Sequence, residues 1–304
     1  MNPTASAGSV AGRPLVLFAL MSVIWGIPYL FIRIAVAEVS PAFLVLARTS
    51  IATAILLPVA LVRLDLRPIL ARWQWVVAFA AVEIAIPWVM LGSAEQHVSS
   101  SLAGLLIAGV PLVGSVIAFA SGSTDRIGSV GLAGLLVGLA GVAAIVGGDF
   151  GTTDPLAFGQ IAIVVVGYAI GPAILARRLA GLPSLGVMAL SLALTAVVYV
   201  PIAALQLPAS FPSPEVVTAL IVLAVVCTAA AFLLFAALIA AVGPVRATVI
   251  TYVNPAVAAV LGVAALGERF TVGMAVGFVL VLLGSALATH RRSEAPAVAE
   301  LEYS

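Results

Sequence analysis

The sequence predicts an all-α membrane protein, with ten transmembrane helices forming two inverted five-helix repeats around a central cavity. Three observations predict it. Of the 304 residues, 63% are hydrophobic and 8% charged, whereas soluble domains carry about 25% charged residues. The apolar residues gather into ten runs, each near the ~20 residues that cross a ~30 Å hydrocarbon core as a helix. Shifted by 144 positions, the chain also matches itself at residues that matter for backbone shape, such as Pro111 and Pro255.

In chain order the runs are 15–37, 42–62, 74–94, 100–120, 128–147, 156–176, 184–205, 216–240, 246–266 and 271–289. They leave short loops and no room for a sizeable soluble domain. The basic residues are all arginine. On this reading Arg13, Arg63, Arg67, Arg72, Arg126, Arg177, Arg178, Arg246, Arg291 and Arg292 share one side of the membrane, and Arg269 lies on the other. Positive residues collect in the cytoplasm, so both termini are expected there, as in a multi-pass inner-membrane protein. Arg33 sits ~27 Å along the first helix and is read as an anchor that snorkels to the outer surface.

Under the same shift Pro28 meets Pro172, Arg33 meets Arg177 and Ser40 meets Ser184. Later in the repeat Gly134 meets Gly277 and Gly141 meets Gly284, at an offset one shorter. The repeats are assigned to 15–147 and 156–289, followed by a disordered cytoplasmic tail at 290–304. An odd number of spans per repeat makes the second copy enter from the opposite side. Inverted repeats with paired interrupted helices are a recurring plan of secondary transporters, whose substrate site lies between the halves. The interrupted pairs expected here are the first and sixth helices, at Pro28 and Pro172, and the fourth and ninth, at Pro111 and Pro255. An interior proline frees the carbonyl four residues earlier, which in lipid must face protein or a wet cavity.

Ionised side chains inside spans are costly and usually face a bundle interior. Glu83 is the deepest, ~15 Å along the third helix from Trp73, and Arg48 lies ~10 Å in from Pro41. A fixed ion pair between them is one reading; the other has Glu83 binding a substrate amino group or a coupling proton. Trp25, Tyr29, Trp88, Tyr168, Tyr252 and Asn254 lie near the interrupted helices and complete the candidate substrate site. Trp and Tyr present apolar faces with one polar tip, which suits amphiphilic metabolites and also suits plain packing. Glu268, in a turn at the outer surface, reads as a helix-terminal partner of the backbone. Gly134 with Gly138 and Gly273 with Gly277 have GxxxG spacing, which suits either internal packing or a homodimer face.

Other classes find little support. Without lysine there is no Walker A motif, which leaves proton coupling, exchange or facilitated passage. His97 and His290 fall on opposite sides and Cys227 is single, so neither a metal site nor a nucleophile with its base is indicated, and no cofactor or enzymatic activity is expected. A net charge of +1 gives no sign of nucleic acid.

The segment "TYVNPAVAAVLGVAALGERFT" at 251–271 resembles the closing part of EamA-type transporters of the drug/metabolite transporter superfamily. "WGIPYLFIRIA" at 25–35 resembles their opening Trp-Gly helix, and "SPAFLVLARTSIA" at 40–52 their second. The resemblance spans about 15–289. It departs at "GSTDRIG", 122–128, where a second Gly-Glu-Arg often stands, and at Tyr168, where tryptophan does. It implies ten helices around a central cavity and export or exchange of small metabolites such as amino acids. A non-transporting sensor or assembly subunit is the alternative, and a membrane-embedded enzyme a more distant one.

Overall fold

The structure, a computed structural model, describes residues 7–120, 129–147, 154–242 and 248–289. Arg126, Arg246, the 122–128 segment and the tail at 290–304 lie outside the described residues. Every regular element described is helical. Several helices begin on a capping side chain followed by proline. Ser40 Oγ accepts from the Phe43 N–H at 3.2 Å, Asp154 Oδ1 from Leu156 at 2.9 Å and Ser213 Oγ from Val216 at 3.4 Å. Pro41, Pro155 and Pro214 follow at the first helical position, where a missing N–H costs nothing.

The first repeat opens with α1 (Ala7–Ile24) and α2 (Pro28–Ala35), separated by a break at 25–27. Then come α3 (Pro41–Arg63) and the short α4 (Arg67–Leu70). The third span joins α5 (Trp73–Phe79), a π-helical segment (Ala80–Ala85) and α6 (Ile86–Ala94). The fourth is α7 (Ser100–Ile107) and α8 (Val110–Ala120), and α9 (Ser129–Gly147) is the fifth. In the second repeat α10 (Pro155–Arg178) and α11 (Ser184–Ala204) are continuous. The next span joins α12 (Pro214–Ile221), a second π-helical segment (Val222–Ala230) and α13 (Ala231–Val242). A 3₁₀ turn (Thr248–Tyr252) leads into α14 (Asn254–Leu266), and α15 (Val272–Ala288) ends the bundle. Among the described residues eight helices are long and apolar enough to cross a membrane. Two of the ten expected spans, Ile250–Leu266 and Val272–Ala288, are apolar but shorter.

Equivalent helices of the two repeats pack antiparallel. At one end of the α3 and α11 pair the Ser40 hydroxyl donates to the Gln206 carbonyl at 3.1 Å. At the other end Gly186 lies against Leu64, Leu66 and Ile69. Helices α7 and α14 meet with Gly104 on Ala258, and Ser101 Oγ lies 3.3 Å from the Ala259 carbonyl. Helices α9 and α15 approach backbone to backbone. A β-carbon at Gly141 would stand 2.7 Å from both the Gly277 carbonyl and the Val281 amide nitrogen, and one at Gly134 2.8 Å from the Gly284 carbonyl. Both GxxxG pairs are therefore engaged within the chain. A β-carbon at Gly273 would meet the Ala144 carbonyl at 2.7 Å, and one at Gly138 would run into Leu112.

The expected break at Pro172 is absent, because α10 runs through it. Its partner at Pro28 is a true break, and the difference lies in what each helix touches. In the first helix the Gly26 N–H turns to the Val23 carbonyl, which releases the Ser22 carbonyl. The Asn254 amide, oriented to satisfy both groups, donates to Ser22 O at 3.0 Å and Ile250 O at 2.9 Å. The residue 144 positions before Asn254 is Val110, which has no donor to offer the sixth helix. Each further carbonyl released by unwinding and left buried without a partner would cost about 1–3 kcal/mol, so that helix stays wound through Pro172. At Pro111 and Pro255 the chain is interrupted just before each proline, at 108–109 and at the 3₁₀ turn.

Candidate functional site

Between the repeats α2, α3, the third span, α10 and the second π-helical segment bring charged and aromatic groups together. Arg48 of α3 is 6% exposed. Its guanidinium carbon lies 3.7 Å from the centroid of the Trp88 ring, and Nε donates to Thr228 Oγ1 at 2.8 Å. The terminal nitrogens make no hydrogen bond among the described residues. A desolvated cation over an indole face gains about 2 kcal/mol, which helps hold Arg48 where apolar helices would otherwise reject it. Tyr29, Tyr168 and Cys227 lie within its electrostatic range.

Glu83 projects from the first π-helical segment towards α10. Its Oε2 is buried and has no hydrogen-bond partner. Gly171 makes room for it: a β-carbon there would lie 2.9 Å from the carboxyl carbon of Glu83. Gly167, one turn earlier, lets α10 close on the Val82 carbonyl. Tyr168 stands between these glycines, beside Trp88 and within range of Glu83 and Arg48. The fixed ion pair weighed for Glu83 and Arg48 does not form, because Arg48 is engaged by Thr228 and Trp88.

Five of the sequence-predicted residues thus gather: Glu83, Arg48, Trp88, Tyr168 and Tyr29. Three do not join them. Trp25 packs on Phe235 and Phe232, with ring centroids 4.7 and 6.3 Å apart, in a separate apolar cluster around Met21 and Leu238. Asn254 holds the broken first helix, and Tyr252 sits half-buried in the 3₁₀ turn before it. Around Glu83 and Arg48 the packing is not complete, since Glu83 and Tyr168 are each only partly buried. Two cavities, of about 480 and 430 Å³, open at one end of the bundle. Arg33, Glu38, His97, Val98, Leu266 and Glu268 line the first; Met90, Ser93, Gln96, Tyr199 and Gln206 line the second. Neither is lined by Glu83 or Arg48.

The turn after α14 behaves as its sequence suggests. Gly267 takes the left-handed conformation at φ 65°, where glycine is favoured. The Glu268 carboxylate then accepts from the Ser100 N–H at 2.7 Å, the Ser101 N–H at 2.9 Å and the Ser101 hydroxyl at 2.6 Å, capping α7 of the other repeat. A carboxylate there meets the positive end of the helix. Glu38, on the neighbouring loop, accepts from the Ser213 N–H at 2.7 Å, which holds its carboxyl below the usual carboxylate range. Arg33 donates to the backbone carbonyl of Glu95. The opposite end carries Arg72, which donates to the Arg178 and Ala180 carbonyls at 3.0 and 3.2 Å, and Arg178 lies 4.4 Å over Trp75.

Residues 13–147 and 157–289 each match the EamA-like transporter family. The chain belongs to that family. Its two matches coincide with the two halves described above, so this is a multi-pass membrane transporter of the drug/metabolite type. A solved crystal structure shares the fold at TM-score 0.63 and 22% identity, over 91% of this chain and 96% of that one. No curated protein matches.

Sequence reasoning missed two buried polar residues of this part of the bundle. Thr228 is the polar side chain of the apolar run "VVCTAAA", and that isolation was a usable signal. Glu95 follows the third span in "AEQHV" and reads as a loop charge, yet it is fully buried.

Proposed function

We propose that this chain is an inner-membrane secondary transporter that exports a small amphiphilic metabolite of the amino-acid class by alternating access. The observation that carries the reading is the pairing of two unsatisfied opposite charges between the repeats. Arg48 has free terminal N–H donors and Glu83 has an unpartnered oxygen. A zwitterion would answer both, its carboxylate on Arg48 and its ammonium on Glu83, with Trp88, Tyr168 and Tyr29 against the apolar portion. Burial makes each unmet charge expensive, so a ligand that supplies both partners gains affinity. Arginines at 63, 67, 72, 177 and 178 crowd one end and support a cytoplasmic placement of both termini.

The test is flux of labelled amino acids in proteoliposomes. A transporter gives saturable movement across a sealed bilayer, whereas a sensor or assembly subunit gives none. Glu83→Gln should abolish that flux while the protein still inserts; undiminished flux would remove Glu83 from the site.

A further inference from the structure

Glu95 closes α6, one residue past the third span. It is 0% exposed, and neither carboxylate oxygen has a hydrogen-bond partner. The proposed transport site makes no use of it. An ionised carboxylate without donors pays several kcal/mol of desolvation, so this packing accommodates the neutral acid. The charged and titratable groups within electrostatic range of it come from three elements. Arg33 and Tyr29 project from α2, Tyr168 from α10 and Glu268 from the turn after α14, while α7 beside them offers Ser100 and Ser101 and no charge. Arg33 is spent on the backbone carbonyl of Glu95 rather than its carboxylate, and Glu268 is spent on the start of α7. Burial first, and then the charge of Glu268, push the Glu95 carboxyl well above the usual range, against the pull of Arg33. Arg33 and Glu268 both line the 480 Å³ cavity, which gives a proton a short route to water.

We propose that Glu95 is a proton-binding site that latches the outer end of α6, neutral while that end is packed as here and ionised against Arg33 when it opens. On opening, the carboxyl proton passes to water in the cavity. The guanidinium already on the Glu95 carbonyl is placed to take the new carboxylate. Repulsion between that carboxylate and Glu268 then works against the cap on α7. Because the packed arrangement holds the raised acid, it is favoured at low pH and lost as pH rises through that raised value. The inference rests on the alternating-access reading for its purpose, and its test does not need flux.

Spin labels at His97→Cys and Phe270→Cys, on the turn after α6 and the turn after α14, which both contribute residues to the cavity, and in a Cys227→Ser background, report the opening in the reconstituted full-length protein. Labelling at a fixed pH precedes the titration. From about pH 5 to about pH 9 the longer distance should grow in, with a midpoint above the ordinary glutamate value of about 4.3. Glu95→Gln should hold the short distance throughout. Glu95→Asp, which keeps the acid should the glutamine variant fail to fold, should move the midpoint. A distance that ignores pH in the parent, an unchanged titration in Glu95→Gln, or an unmoved midpoint in Glu95→Asp would each overturn the proposal. Glu83→Gln should lose flux yet keep the titration, so a failure of the substrate site and a failure of the latch give different results.

Discussion

The two π-helical segments occupy equivalent places in the repeats and are built by different chemistry. In Ala80–Ala85 the Ile86 N–H reaches back five residues to the Ala81 carbonyl, and Pro87 has no N–H to restore the normal ladder. In Val222–Ala230 there is no proline; the Thr228 hydroxyl inserts at the Leu223 carbonyl, 2.8 Å away and five residues back. The first segment carries Glu83, whereas the position 144 residues later is Cys227. A duplicated backbone irregularity therefore carries charge in one half and a small buried thiol in the other. Symmetry supplies the shape of the bundle, and its violation supplies the polarity of the site.

That contrast can be broken from either side. The largest effect is expected where the first segment meets α10: a methyl at Gly171→Ala would enter the space of the Glu83 carboxyl. The carboxylate tip can swing aside, so the protein should fold, while flux falls by roughly tenfold or more, the scale of one charged hydrogen bond. Wild-type flux in that variant would show that the placement of Glu83 is unimportant. On the other side, Thr228→Val removes the acceptor of Arg48 and the side chain that occupies the Leu223 carbonyl. Thermal unfolding in detergent should report a loss of about 1.5–3 kcal/mol. Tyr199→Phe is milder. Its hydroxyl donates to the Ala85 carbonyl at 2.8 Å, at the end of the first segment, and its loss should cost about 1 kcal/mol in the same measurement. Cys227→Ser should change flux and stability least, within about 1 kcal/mol, since the thiol makes no bond that shapes its segment; a collapse of flux would mean that the second segment shares in the chemistry.

Much of the architecture was legible because membrane insertion writes itself in composition, and because Pro, Arg and Gly mark a repeat more sharply than Ala or Val. Pro111 and Pro255 stand beside real interruptions for this reason. Pro172 shows where such reading stops. Whether a proline breaks a helix depended on a side-chain donor across the interface, which Asn254 supplies in one half and Val110 cannot supply in the other. Glu83 and Arg48 were found by depth alone, but their separation was not, since the claims of Thr228 and Trp88 on the guanidinium come from distant parts of the chain. The π-helical segments left no mark in periodicity, since one extra residue in a uniformly apolar helix moves no polar face. Trp25 went astray for a related reason: an indole beside a helix break looks the same in sequence whether it faces a ligand or Phe235.

The glycine contact between α9 and α15 carries a mechanical corollary. Backbones that touch, as at Gly141 and Gly277, cannot slide along one another without collision. The last helices of the two halves are therefore welded into a single keel, and any rearrangement of the bundle must swing the other helices about it.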